Sequence, residues 1–326
     1  MIKHMMGGAH RISVPLPNNP LLKIHTYLFK GERDLLIDTG ADLDICEQVL
    51  AQSLQQMGVD PEKLDICITH LHTDHVGLVR RQMLASANVM CGPFDKEGDM
   101  RLFTNTILDR EAIEAYMQYL GLFGSLTKLK IQDMPPGFFL DWSMLPDLKP
   151  LEEGAILKVG EHTLTCLSTP GHAPEHISLY DAANRILFSG DFLMSPMMPN
   201  VLDFKAEGSS LIKYFAALSQ VESMSVDLVY AGHGDIITNP SLRIEEIIAH
   251  HNKKLVAFEQ ITKEGKQTVA EIASKAAWGG GSKTWEQLAL VPRLFAIGET
   301  LSHLNYLVSE QRIAFIEQAG VVYFGK

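Results

Sequence analysis

Apolar and polar positions alternate in short runs through the N-terminal stretch, in RISVPLP, KIHTYLFKG and DLLIDTG, each broken by Pro, Asn or Gly. That pattern predicts three β-strands. From Ala41 to about Met57 the period lengthens, and Leu43, Ile45, Val49, Leu50 and Leu54 predict a helix. KLDICITH then reads as a strand that delivers the chain to His70. HVGLVRRQML reads as a helix beginning near His75, and NVMCG as another strand. Residues 95–150 differ: TILDREAIEAYMQYLGLF is helical in pattern, and DMPPGFFLDWSMLPDL is rich in Met, Pro and Phe. A segment of this kind between two strand-rich halves is either a helical insertion packed on the core or a lid.

Strands resume with AILKVG, HTLTCLSTPG, HISLYDA and RILFSGD, followed by a helix over Ser209–Val221 and the strand DLVYAGHG. Past Pro240 the pattern is helical throughout, in SLRIEEIIAHHNKKLVAFEQITKEG, TVAEIASKAA and VPRLFAIGETLSHLNYLVSEQ, until IAFIEQAGVVYFGK closes as a hairpin. Three helices and a hairpin predict a winged-helix-like domain over 241–326, behind a main domain over 1–240.

The 326 residues suffice for these two domains, and 46% hydrophobic with 21% charged residues is globular composition. The apolar runs fall short of the roughly 18–20 residues of a membrane helix, and the start MIKHMMGGAHRISV lacks an export-type apolar stretch. Cys46, Cys67, Cys91 and Cys166 form no CxxC pair, and Cys67 and Cys166 sit in strand runs as reduced thiols. A cytoplasmic location is expected. The net charge of −11 disfavours non-specific nucleic-acid binding and permits a small-molecule substrate.

The chemistry concentrates in His70-Leu71-His72-Thr73-Asp74-His75. Neutral imidazole offers a metal-ligating lone pair at physiological pH. In extended backbone, residues two apart point the same way, so His70 and His72 can clamp one ion. A turn into helix would aim Asp74 and His75 at a second. Three further candidates stand at strand ends beside glycine: His172 in Thr169-Pro-Gly-His, Asp191 in Phe188-Ser-Gly-Asp, and His233 in Ala231-Gly-His-Gly. Glycine allows the tight turn that brings such a side chain off a sheet edge.

HxHxDH, Gly-His, Ser-Gly-Asp and Gly-His-Gly, in this order after Ile37-Asp-Thr-Gly40, resemble the metallo-β-lactamase superfamily over residues 10–240. The resemblance implies a four-layer αββα sandwich of the α+β class with the metals at one edge. It implies that His70, His72 and His172 bind one ion, that Asp74, His75 and His233 bind the other, and that Asp191 bridges. Asp38 would support the ligand loops from behind. The expected activity is hydrolysis by a hydroxide shared between two divalent ions, with Asp74 or Asp191 orienting the water or passing its proton. Mixed N/O donors without Cys suit zinc best, with iron or manganese as alternatives. Two dications outweigh two carboxylates and a hydroxide, so the site favours a substrate with a carbonyl or anionic group.

Hydrolases with a winged-helix tail resemble both hydroxyacylglutathione hydrolases and single-strand-specific endoribonucleases. A small ester, thioester or lactone is the first expectation, supported by the acidic charge and the Met/Phe-rich segment. RNA is the alternative, and a catalytically inactive metal-dependent binding protein is a third. Residues 241–326 carry 10 Lys/Arg against 9 Asp/Glu, and the last long helix offers only Arg293 as a strong base, which argues against DNA. The tail is expected to pack on the catalytic domain or to pair two copies of the chain.

Other residues are read more plainly. His176 is expected beside the ligands rather than among them, His162 as solvated, and His250 and His251 at a surface or between domains. Met194, Met197 and Met198 read as core packing or a substrate wall. Ser189 and Ser195 lack a His-Asp partner arrangement outside the metal set. Gly279-Gly280-Gly281 lacks the Lys-Ser/Thr of a phosphate loop.

Overall fold

The computed structural model describes residues 2–94, 117–122 and 145–326. Most of the expected 95–150 insertion lies outside those residues. The described residues group into two compact units, one of residues 2–94, 145–199 and 217–244 and the other of 117–122, 200–216 and 245–326.

In the first unit, the alternating runs form strands where expected, with a short leading strand added. One sheet runs in chain order through β1 (Ile2–His4), β2 (His10–Pro15), β3 (Lys23–Phe29), β4 (Asp34–Ile37), β5 (Leu64–Ile68), β6 (Asn88–Cys91) and β7 (Lys149–Pro150). Strands β1–β4 pair antiparallel and β4–β7 parallel. The second sheet holds β8 (Ile156–Val159), β9 (His162–Ser168), β10 (Ile177–Asp181), β11 (Ile186–Gly190) and β12 (Leu228–Ala231), in the order β12-β11-β10-β9-β8. It is antiparallel except for β11 with β12. The inner faces of the two sheets share one core, in which Tyr27, Phe29, Phe188 and Tyr230 meet with ring centroids 5.2–5.8 Å apart. All four cysteines are buried thiols.

Helix α1 spans Asp44–Gln56, shorter at both ends than the periodicity suggested. Asp44 and Glu47 in its first turn favour the positive end of the helix dipole. Its inward face is Cys46, Leu50, Ser53 and Leu54, while Ile45 is exposed. The helix expected from His75 is instead one turn, α2 (Thr73–Val76), followed by 3₁₀ turns over Gly77–Arg80 and Gln82–Leu84. The reason is tertiary: the Leu78 N–H donates to the Gly40 carbonyl at 3.0 Å rather than up a helix. The parallel pair β11–β12 is joined by a crossover through α3 (Ser210–Glu222), as parallel pairing requires.

The second unit carries α4 (Pro240–Thr262) from Glu245 onward, α5 (Val269–Lys275) and α6 (Leu290–Ser309). A small sheet of β13 (Gln267–Thr268), β14 (Ala314–Gln318) and β15 (Val321–Gly325) accompanies them, in the order β13-β15-β14. Thr268 caps α5 in a reciprocal box with Glu271. Asn305 on α6 donates to Asp203 at 2.8 Å and so fixes the 200–216 segment. Among the described residues no helix is long and apolar enough to cross a membrane.

Candidate metal centre

The parallel register places the ends of β4 and β5 side by side, with Ile37 opposite Cys67. Beyond those ends the chain supplies Asp38 and the His70–His75 segment. Strands β9, β11 and β12 end at the approaches to His172, Asp191 and His233. Carboxyl ends of parallel strands are where open α/β sheets place their ligands, because the loops there are free to carry function.

The seven sequence-predicted residues meet. One ligand atom each from His70, His72 and His172 falls into a common cluster, as do those of His70, His75 and Asp191, and those of Asp74, His75 and His233. His72 Nδ1 lies 2.9 Å from His70 Nε2 and 3.0 Å from His172 Nε2. His233 Nε2 lies 3.3 Å from His75 Nε2 and 3.3 Å from Asp74 Oδ2. Asp191 stands between the groups: Oδ1 is 3.4 Å from His75 Nε2, and Oδ2 is 3.6 Å from His172 Nε2. His70, His75 and His233 are fully buried, whereas His72 is exposed and Asp74 partly so.

Supporting groups fix which nitrogen faces inward. His75 Nδ1 donates to Asp38 Oδ2 at 2.8 Å, and His233 Nδ1 donates to the Lys23 carbonyl at 2.7 Å. Each Nδ1–H thus has its acceptor, which turns both Nε2 atoms into the cluster as the nitrogens that would ligate. Asp38 also accepts from Thr69 N and Thr69 Oγ1, each at 2.8 Å, and Thr39 N and Oγ1 both donate to the His75 carbonyl. Asp38 does this from a left-handed backbone, φ 58°, which costs a non-glycine residue about 1–3 kcal/mol. The Ile37–Gly40 motif thus holds the His75 ring and backbone together.

A cation fits this arrangement. His75 Nε2 and His233 Nε2 face each other at 3.3 Å, and Asp191 Oδ1 beside them is buried with no hydrogen-bond partner. Against desolvation, the surrounding carboxylates hold both rings above the ordinary histidine range, a sign of how strongly the cluster favours positive charge. Carboxylate oxygens and imidazole nitrogens converging in a buried space are stabilised by a positive charge among them. Desolvation, followed by the neighbouring imidazoles, holds His70 well below the ordinary histidine range, so its ring is neutral and able to ligate.

Three positioning residues stand behind the ligands, one of which, His176, the sequence had singled out. His176 accepts the Asp191 N–H on Nε2 at 3.2 Å, with Nδ1 2.8 Å from Thr169 Oγ1, so it sits behind Asp191. Glu175 accepts the Leu71 N–H at 2.9 Å, between His70 and His72, and burial raises its carboxyl pKa. The buried Arg243 donates to the carbonyls of Met194 at 2.7 Å and Met197 at 2.6 Å, holding the loop after Asp191. Met194 is buried; Met197 and Met198 are half-buried. His176 had a signal in His172-Ala-Pro-Glu-His176; Arg243, on a different element, had none. His162 is not freely solvated, since it faces Asp181 at 3.4 Å and packs on Phe29. His251 is not at a surface: it is fully buried.

Comparison with known proteins agrees with the architecture. The model of the metallo-beta-lactamase superfamily matches residues 20–85 and 95–233. A beta-lactamase-like protein 2 homolog of Caenorhabditis elegans is 25% identical over 248 residues, covering 74% of this chain and 66% of that protein. An acyl-coenzyme A thioesterase of Gallus gallus is 23% identical over 258 residues, covering 77% and 86%. Among solved structures, a metallo-beta-lactamase family protein from Thermus thermophilus superposes with TM-score 0.75 at 26% identity, over 98% of this chain and 99% of the other.

Proposed function

From the premise that this chain belongs to the metallo-β-lactamase superfamily, and so to the metal-dependent hydrolases, we propose that it cleaves a small thioester, ester or lactone at a two-metal centre. His70, His72 and His172 would hold one ion, Asp74, His75 and His233 the other, and Asp191 would serve both. The observation that carries this reading is Asp191 itself, whose two carboxylate oxygens approach imidazoles of different triads. Nitrogen and oxygen donors without cysteine favour zinc. When bound, such ions bring the pKa of water near 7 and polarise a carbonyl oxygen.

The protein's own groups do the remaining work. Asp38 and Lys23 O keep the two buried imidazoles in the ligating tautomer. His176 and Gly190 set Asp191 at the end of β11. Asp74 lies at the solvent side, with 18% of its side chain exposed, where it can orient a water and carry its proton to the leaving group. A thioester is the leading substrate because a relative bears that activity in its name, and because a net charge of −11 disfavours a polyanion such as RNA. We take residues 1–240 as the catalytic domain and 241–326 as a winged-helix-like domain.

The test is a panel of acyl-coenzyme A thioesters, aryl esters, lactones and single-stranded RNA offered to the zinc-loaded full chain. Thioester turnover is expected, falling by about 100-fold or more in Asp74→Ala. RNA cleavage without ester turnover would replace this reading by an endoribonuclease. Full metal content with no turnover of any class would replace it by a binding protein.

A further inference from the structure

A second group of metal-type donors lies in the second unit, on α4 and α6. His251, Glu299 and His303 each offer one ligand atom, and these atoms all lie within 4.8 Å of one another. Glu299 and His303 are four residues apart, which places them on one face of α6, and His251 comes from α4. Both imidazoles are fully buried, and His251 Nδ1 lies 3.1 Å from His303 Nε2.

The tautomer of His303 is fixed by its neighbour. Its Nδ1 lies 2.7 Å from the Glu299 carbonyl, which only accepts, so Nδ1 carries the proton and Nε2 turns a lone pair toward His251. This second hydrogen bond is the same device that orients ligating histidines at metal sites. Without an ion the His251 proton sits on Nδ1 and donates to that lone pair. His251 Nε2 is buried and makes no hydrogen bond, so the proton can move to Nε2 without displacing a donor and leave Nδ1 free to ligate. Burial keeps both rings neutral, His303 down to about 3, and their lone pairs are available throughout the neutral range.

The distances suit an ion. Two imidazole nitrogens around tetrahedral zinc, at about 2.05 Å each, stand about 3.3 Å apart, close to the separation seen here. Tyr214, Phe215 and Phe258 pack around the pair and exclude water. Glu299 lies at the partly open edge, its side chain 13% exposed, which gives an ion an entry path. Lys254 holds one Glu299 oxygen at 2.7 Å, and its ammonium also lies 4.6 Å from the Trp278 ring centroid, so it keeps a partner when the carboxylate turns to a cation.

We propose that His251, His303 and Glu299 form a zinc-class divalent metal site that ties α4 to α6, separate from the centre built on the two sheets. The competing state is a neutral, hydrogen-bonded imidazole pair. The full chain is loaded with Zn²⁺, freed of excess metal, and assayed for zinc per chain as wild type, His303→Gln and Glu299→Gln. His303→Gln is expected to carry one zinc fewer per chain, and Glu299→Gln to release zinc from this site at a chelator concentration about tenfold lower. Hydrolytic turnover stays unchanged in both. Equal zinc content and retention in all three proteins overturns the proposal. Should a variant fail to fold, anomalous diffraction at the zinc edge on wild-type crystals decides. A peak among His251 Nδ1, His303 Nε2 and Glu299 supports the site, and its absence beside occupied sheet-edge positions overturns it.

Discussion

Asp38 is the residue on which the centre's electrostatics turn. One carboxylate orients the His75 ring and accepts from both donors of Thr69, so the inward direction of His75 Nε2 depends on it. Asp38→Asn keeps the size but places an NH₂ where an acceptor is needed. Metal affinity is expected to fall about 10–100-fold with little change in circular dichroism, measured by chelator competition. His25 gives a different prediction. It is buried between Ser13 Oγ at 3.0 Å and the Gly234 carbonyl at 3.2 Å, and desolvation, with the Arg11 and Lys23 charges, lowers its pKa to about 4. A free histidine titrates near 6.5, so the unfolded chain binds the extra proton first as pH falls. The stability tied to His25 is therefore complete above about pH 6.5 and is lost as pH falls from about 6.5 toward 4. Urea unfolding at pH 7, 5.5 and 4.5 is expected to show a slope approaching 1.4 kcal/mol per pH unit that His25→Gln removes.

At the scale of elements, the centre is a property of strand ends. Strands β4, β5, β11 and β12 stop at one edge, and tight backbone lets their loops close on each other. Gly232, just past β12, has no room for a side chain: a Cβ there would stand 2.8 Å from both Asp191 Oδ1 and His75 Cε1. Gly232→Ala is expected to reduce bound metal to under half of wild type, by elemental analysis, and to leave the far-UV spectrum intact. A wild-type metal content in that variant would mean that the loop yields and that its backbone does not set the ligand positions. The single turn of α2 belongs to the same logic. Apolar spacing after His75 favoured a longer helix, yet the Gly40 carbonyl captures the Leu78 amide and stops it, leaving the His75 carbonyl for Thr39.

Across the whole molecule, seven donors are held by two sheets through one shared core, so ion binding and sheet packing are linked. Anything that binds only the folded state stabilises it by mass action, about 4 kcal/mol at a thousandfold excess over Kd. Removing metal with a chelator is expected to lower the melting temperature by about 10 °C, and adding back Zn²⁺ to restore it, by scanning calorimetry. An unchanged transition would show that the cluster holds no tightly bound ion.

The chain's local order was legible in its residues. Strand runs, the long helices, the closing hairpin and the Gly-flanked His and Asp positions all follow from periodicity and turn chemistry, which depend on neighbours a few residues away. Asp38 was legible only through the resemblance of the Ile37–Gly40 motif to the superfamily. Only the tertiary structure decided which strands lie parallel, that Asp191 is the ligand His176 backs, that Arg243 clamps the Met194–Met197 loop, and that His251 lies buried against His303. Those facts depend on which partner completes a hydrogen bond or excludes water across dozens to hundreds of residues, and no short stretch of sequence carries that information.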